Sequence, residues 1–468
     1  MLTPRLVAAT LFAGAFLLGS SQAETLTRKV QFNLKPGQHL GTLLETGRWE
    51  IVEAHGNRVV ALEQVSDDGV AAEDITVLER TIATQEFVVL SGNIDDELAS
   101  FRAKGSEGAY HSVAENEAEL KALAQAHPEI CHVESLGKTF EQRDIWGLRI
   151  GSHPENKDLP RVLLFGLVHA REWISAELPH HAIRSLVAGY GQDEELTELI
   201  DSRIIWVIPV TNPDGLEYAQ TNYSMWRKNR NKVVAMGTGV DVNRNFEVGF
   251  GTGSSGWGNS DVYRGPHAGS EAETQSLLAL MERERFSVSL SFHSYSELIL
   301  YPWGYTDQDP PHKDIMSAHG QAMKNFNGYR HGSVAQILYS AGGATDDTFF
   351  TKYGCWSWTF ELARQFVPPE TQIESICQQN WPAVLHIIRS AQDLKDSRPQ
   401  IGPQAGAEGN VAVIEKLIQA RANAANAHEA EEASRALDGV LEVMSDRARE
   451  DDVLKSALWK KFGQSIAH

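Results

Sequence analysis

Polar and apolar positions alternate along the first part of the chain and shift to longer periods near residue 111. The run KVQFNL at 29–34 alternates as a half-buried strand does, and Lys35-Pro36-Gly37 breaks it. Strand-like runs at 48–53 and 58–65 flank a turn at His55-Gly56-Asn57. Ile75, Leu78 and Ile82 recur on one helical face, and 86–90 reads as a closing strand. With a short helix over 38–45 the predicted order is β-α-β-β-α-β, a ferredoxin-like α+β unit at 24–92.

Over 111–396 the spacing predicts helices at 114–126, 174–190, 271–284 and 370–394. Between them lie the apolar runs RVLLFGLV (161–168), RIIWVIPV (203–210), SVSLSF (287–292) and CWSWTF (355–360). Such runs suit central strands covered by helices on both faces, so the fold class is α/β. From 397 to 468 a Pro/Gly/Ala linker (PQIGPQAGAEG) leads into Val411, Ile414, Leu417, Leu437, Leu441 and Met444 at helical spacing, a helical tail.

Charge narrows the partners. The 42 Lys+Arg against 62 Asp+Glu give a net charge of −20, which repels a phosphate backbone, so nucleic acid is excluded. Residues 1–23 read as a secretory signal: Arg5, an apolar run over 6–18, and a small-residue site at Ser21-Gln22-Ala23. That run is too short for a membrane span, and the mature protein is expected to be exported, extracellular or periplasmic. Cys131, Cys355 and Cys377 allow at most one internal disulfide, so the core must hold the fold.

Three of the apolar runs end in residues suited to chemistry: His169-Ala170-Arg171-Glu172, His293 and Glu361. Ligands of open α/β sheets bind beyond the carboxyl ends of the strands, so topology brings these groups together. Two His and one carboxylate suit Zn²⁺ and leave a coordination position open, while a further carboxylate, Glu361, can act as acid and base. Each residue alone is more often a structural His or an ion-paired Glu; their coincidence at three strand ends carries the inference. Gly251 to Gly256 matches G-x-G-x-x-G with no strand before it and no helix after, so a dinucleotide site is excluded. Asn222-Tyr223-Ser224 is a glycosylation sequon of use only in a eukaryotic source.

Seven segments in order carry a resemblance: HAREW (169–173), TNPDG (211–215), WRKNR (226–230), VDVNRNF (240–246), SFHSYSELILYPWGY (291–305), LYSAGG (338–343) and TFEL (359–362). The chain resembles zinc metallocarboxypeptidases of the pancreatic carboxypeptidase A/B family. The resemblance implies a mixed, largely parallel eight-stranded sheet flanked by helices, one Zn²⁺ per chain, and hydrolysis of the C-terminal bond of peptides. It further implies that His169, Glu172 and His293 bind zinc, Glu361 is the general base and Arg230 stabilises the oxyanion. Asn243 and Arg244 would hold the substrate carboxylate, Tyr339 would close over it, and Arg171 would serve an outer subsite. Asp346, seven positions after Tyr339, would floor the specificity pocket and select C-terminal Lys or Arg, with Val334 and Gly304 on a neighbouring wall that resembles the A-type.

The resemblance also makes 24–92 an inhibitory prosegment and 93–110 a connecting segment cut by an activating protease after Arg102 or Lys104. The relatives' active-site loop usually holds a disulfide, whereas 237–264 has glycines and no Cys, which suggests a looser loop. Two alternatives remain at this point: a zinc amidohydrolase of the same fold acting on acyl-amino acids or cell-wall peptides, and an inactive binding module.

Overall fold

Two sheets organise the molecule, whose computed structural model describes residues 25–34, 49–55, 58–66, 88–91, 109–232 and 237–398. The expected signal, the connecting segment over 93–108, the tail from 399 and the two short helices of the first unit lie outside the described residues. The first sheet holds β1 (Thr25–Asn33), β2 (Trp49–His55), β3 (Arg58–Ser66) and β4 (Val88–Ser91), all antiparallel, in the order β2-β3-β1-β4.

The second unit runs through α1 (Val113–Ala126), β5 (Cys131–Lys138), β6 (Asp144–Ile150), β7 (Arg161–Phe165), α2 (Ile174–Gly189), α3 (Glu194–Asp201), β8 (Ile204–Ile208) and α4 (Pro213–Thr221). It continues through α5 (Ala272–Glu284), β9 (Val288–Ser294), β10 (Leu298–Tyr301), α6 (Lys313–Asn327), β11 (Arg330–Ser333), α7 (Val334–Ile337), α8 (Thr345–Tyr353), β12 (Trp356–Leu362) and α9 (Ile373–Asp396). Its eight-stranded sheet has the order β11-β10-β12-β9-β7-β8-β6-β5. The centre, β12-β9-β7-β8, is parallel, while β6 on β8, β5 on β6 and β10 on β12 are antiparallel. The mixed, largely parallel sheet is as expected.

Side chains alternate across the sheet, so each strand feeds two cores. Leu164, Val207, Leu290, Phe292, Trp358 and Phe360 face α2 and α9, and Leu163, Phe165, Trp206 and Ile208 face α5 and α8. In β9 and β12 this second face is polar: Ser289 and Ser357 hydrogen-bond at 2.9 Å, with Ser291, Thr359, His293 and Glu361 beyond them. The apolar runs of the sequence are therefore alternating strands whose small polar residues lead towards one end of the sheet.

Local chemistry sets the helix ends. Ser112 and Glu115 form a capping box on α1. Gly166 permits the tight approach of α2 to β7, since a Cβ there would come within 2.0 Å of the Ser175 carbonyl oxygen. All three cysteines are buried free thiols, so no disulfide supports the fold. No helix among the described residues is long and apolar enough to cross a membrane.

Candidate active site

The carboxyl ends of β7, β9 and β12 open into one cavity. Parallel pairing sets His293 beside Glu361 in register, and the turn after β7 brings His169 and Glu172 to the same place. His169 Nδ1 lies 2.8 Å from Glu172 Oε1, and His293 Nδ1 lies 2.9 Å from Glu172 Oε2. The two Nδ1 atoms are only 3.0 Å apart.

This donor set fits a zinc ion. Its three residues are buried, and their ligand atoms lie within 4.8 Å of one another. If each imidazole donates Nδ1–H to Glu172, two N–H groups crowd each other at 3.0 Å, whereas one cation between them satisfies both nitrogens and the carboxylate. Behind them, Asp241 Oδ1 lies 3.2 Å from His169 Nε2, the carboxylate–histidine arrangement that fixes a ligating ring. Removal from water raises the Glu172 carboxyl, and the charges and hydrogen bonds of His169 and His293 outweigh it, holding the group below the usual carboxylate range.

Asn243, Arg244, Tyr339, Asp346 and Glu361 line the same cavity, as do Val334, Leu338 and Ala341. Arg244 Nη2 lies 3.5 Å from the Tyr339 hydroxyl, and Asn243 Oδ1 accepts from the Thr345 N–H at 3.0 Å. Glu361 looks into the cavity, where loss of bulk water and the negative charge of Glu172 raise its carboxyl well above the usual range, against Arg227 and Arg244. Asp346 is buried and accepts from the Thr359 hydroxyl at 2.7 Å, while its Oδ1 finds no hydrogen-bond partner. Burial pushes its carboxyl up to about 7, and the Thr359 hydrogen bond opposes the rise.

Two of the expected residues stand apart from the cavity lining. Arg230 does not line the cavity: its guanidinium stacks 3.6 Å from the Tyr218 ring centroid and 4.6 Å from that of Trp226. The arginine that lines it is Arg227, three residues earlier in the same WRKNR run, paired to Asp241 at 2.9 Å and 3.7 Å from Glu172 Oε1. Arg171 also lies outside the lining. It is buried behind the wall, 3.5 Å from Asp261 and stacked 4.6 Å from the ring of Phe366, which itself lines the cavity. Gly304 donates its N–H to Asp347 at 2.9 Å and takes no part in the lining, whereas Val334 does.

The glycine loop is not slack. Gly253, at φ +60°, sits against the backbone of Ser340, where a Cβ would approach the carbonyl oxygen to 1.7 Å. Gly342 N–H donates to the Thr252 carbonyl at 2.8 Å, so the loop is laced to the strand of chain that carries Tyr339. Glycine here serves close backbone contact.

A family model described as zinc carboxypeptidase matches residues 116–383. The chain belongs to the zinc carboxypeptidase family. Among its relatives, bovine carboxypeptidase A1 is 33% identical over 292 residues, covering 60% of this chain and 69% of the relative. Dog carboxypeptidase B is 31% identical over 372 residues, covering 75% and 89%. The crystal structure of carboxypeptidase A from Helicoverpa armigera superposes with a TM-score of 0.69 at 23% identity, over 78% of this chain and 98% of that one, a likeness of fold. The enzyme is thus a zinc-dependent peptide hydrolase acting on peptide C-termini.

Asp241→Ala should weaken zinc binding by the about 10–100-fold typical of losing a carboxylate behind a ligating histidine. Competition against a chromophoric chelator measures it, and an unchanged affinity would remove Asp241 from that role.

Proposed function

We propose that this enzyme is an exported carboxypeptidase made as a zymogen, and that it prefers substrates ending in Lys or Arg. The single observation that carries the preference is Asp346: a buried carboxylate with one unpartnered oxygen on the cavity wall. Such a group is costly unless paired, and a cationic side chain supplies the pair.

In this reading His169, Glu172 and His293 hold the zinc ion, which supplies Lewis acidity to the scissile carbonyl and to water when bound. Arg244 and Asn243 grip the substrate's terminal carboxylate, and Tyr339, within reach of Arg244, closes over it. Glu361 takes a proton from the attacking water on its carboxylate and returns it to the leaving nitrogen. Arg227, on the cavity wall 3.7 Å from Glu172, joins Arg230 as a candidate to stabilise the oxyanion. Glu361→Gln should retain zinc and fold while kcat falls by about 10²–10⁴-fold, and a variant with near wild-type kcat would remove the assignment.

Asp346 predicts a pH signature. Its carboxyl ionises as pH rises through about 7, and only the ionised form attracts a cation. The ratio of kcat/KM on matched peptides ending in Arg and in Phe should therefore climb as pH goes from about 6 to about 8. Asp346→Ile should flatten that climb and cut kcat/KM for Arg by at least about 30-fold, roughly 2 kcal/mol. A wild-type enzyme that favours Phe at every pH would sink the preference.

Two contacts support the zymogen. The Lys29 ammonium of β1 lies 4.7 Å from the ring centroid of Tyr295, which lines the cavity, and Val60 of β3 joins the apolar cluster of the α/β unit. In this reading the sheet hinders substrate entry until it is removed. Cleavage between about 92 and 110, after Arg102 or Lys104, should raise activity, because polar segments of this kind are preferred sites of proteolysis. Equal turnover by full-length and cleaved enzyme would overturn inhibition.

A further inference from the structure

A second group of metal-ligating side chains lies outside the cavity, where the chain enters the α/β unit. His111 precedes α1, Glu119 sits on α1, and His180 projects from α2. Their ligand atoms lie within 4.8 Å of one another. His111 Nε2 is 2.8 Å from Glu119 Oε2, and His180 Nδ1 is 3.3 Å from that same oxygen. On its other side, His111 Nδ1 meets Glu177 Oε2 at 2.7 Å. Arg184 Nη1 stands 3.5 Å from the remaining Glu119 oxygen.

The residue that points to a ligand is His180. It is 0% exposed, and neither ring nitrogen has a hydrogen-bond partner. Its Nδ1 is near Glu119 without hydrogen-bond alignment, and its ring stacks on His111 with centroids 3.9 Å apart. A buried polar group left without a partner costs about 1–3 kcal/mol, so its retention at this spot asks for a compensating ligand. A protonated His111 bridging Glu119 and Glu177 accounts for those three residues but leaves the buried His180 Nδ1 beside Glu119 without an aligned partner.

We propose that His111 Nε2, Glu119 Oε2 and His180 Nδ1 form a second metal site, distinct from the catalytic one, that takes a divalent transition-metal ion of the zinc class. Two imidazoles and one carboxylate favour zinc over calcium or magnesium, which prefer all-oxygen shells. Glu177 acts behind it as Asp241 does behind His169: by accepting from Nδ1 it turns the lone pair of Nε2 towards the ion. Zinc ligands lie about 2.0–2.2 Å from the ion, so capture draws the two stacked rings out of parallel. His111 and Glu119 are partly exposed, which leaves a route for the ion and for a water in the fourth position. The ion would tie the first residues of the α/β unit to α2, the helix that starts just after Glu172.

The test uses the full chain in a His169→Ala background, where the catalytic site is disabled. After dialysis against trace Zn²⁺, mass-spectrometric metal analysis should find about one zinc per chain. Adding Glu119→Gln, a partly exposed position that tolerates the amide, should abolish it. In the otherwise wild-type chain, Glu119→Gln should lower the content from about two zinc ions to about one, keep peptide turnover, and remove part of the zinc-dependent rise in Tm. His180→Ala should behave likewise. One zinc per wild-type chain, or an unchanged content on Glu119→Gln, would overturn the second site while leaving the catalytic one intact.

Discussion

Crowding carboxylates in and just behind one cavity is the constraint on which the rest of this enzyme depends. Glu172, Asp241 and Asp346 are buried, and Glu361 faces them across a space removed from bulk water. Like charges so placed repel strongly, and each needs a positive partner or a proton. Arg227 answers Asp241, the two histidines answer Glu172, and a metal ion completes that cluster. Glu361 and Asp346 have no such fixed positive partner, and in the function proposed above they serve one for a proton and the other for a substrate's charge. The unbalanced charges are the ones free to act.

The sheet supplies the rigidity this crowding demands. Four parallel strands at its centre end together, and their pairing sets His293 against Glu361 without any loop between them. Antiparallel strands flank this centre on both sides, β10 and β6, so the parallel set is enclosed. Serines and threonine on one face of β9 and β12 carry polarity through an otherwise apolar interior to the reacting end. Three of those hydroxyls find partners, Ser289 with Ser357 and Thr359 with Asp346, while the buried Ser291 Oγ has none.

Much of this was legible in the sequence, because long helices and central strands bury many side chains and leave a strong period. The helices near 114–126, 174–190 and 271–284 and the four central strands stand within a few residues of their predicted limits. β10 and β11, four residues each, are too short to show a period, and α6 buries so few residues that its apolar stripe is thin. The two arginines of WRKNR expose a sharper limit of sequence reading. Nothing in the motif says which one turns inward; that is decided when the Arg227 carbonyl accepts the Ala170 N–H at 2.9 Å, fastening this stretch beside the HAREW turn. Arg230 then falls against Tyr218 and Trp226. His180 escaped notice for the opposite reason, since a histidine inside an apolar helix looks like ordinary core.

The three thiols have a consequence for how the protein can be made. Each is buried, and loss of solvent pushes Cys131 and Cys355 up to about 12 and Cys377 higher still, so none offers a thiolate to an oxidant or an alkylating reagent. Folding of the α/β unit therefore calls for no oxidising compartment and no disulfide isomerase. Reductant in a storage buffer leaves the covalent structure of this chain untouched.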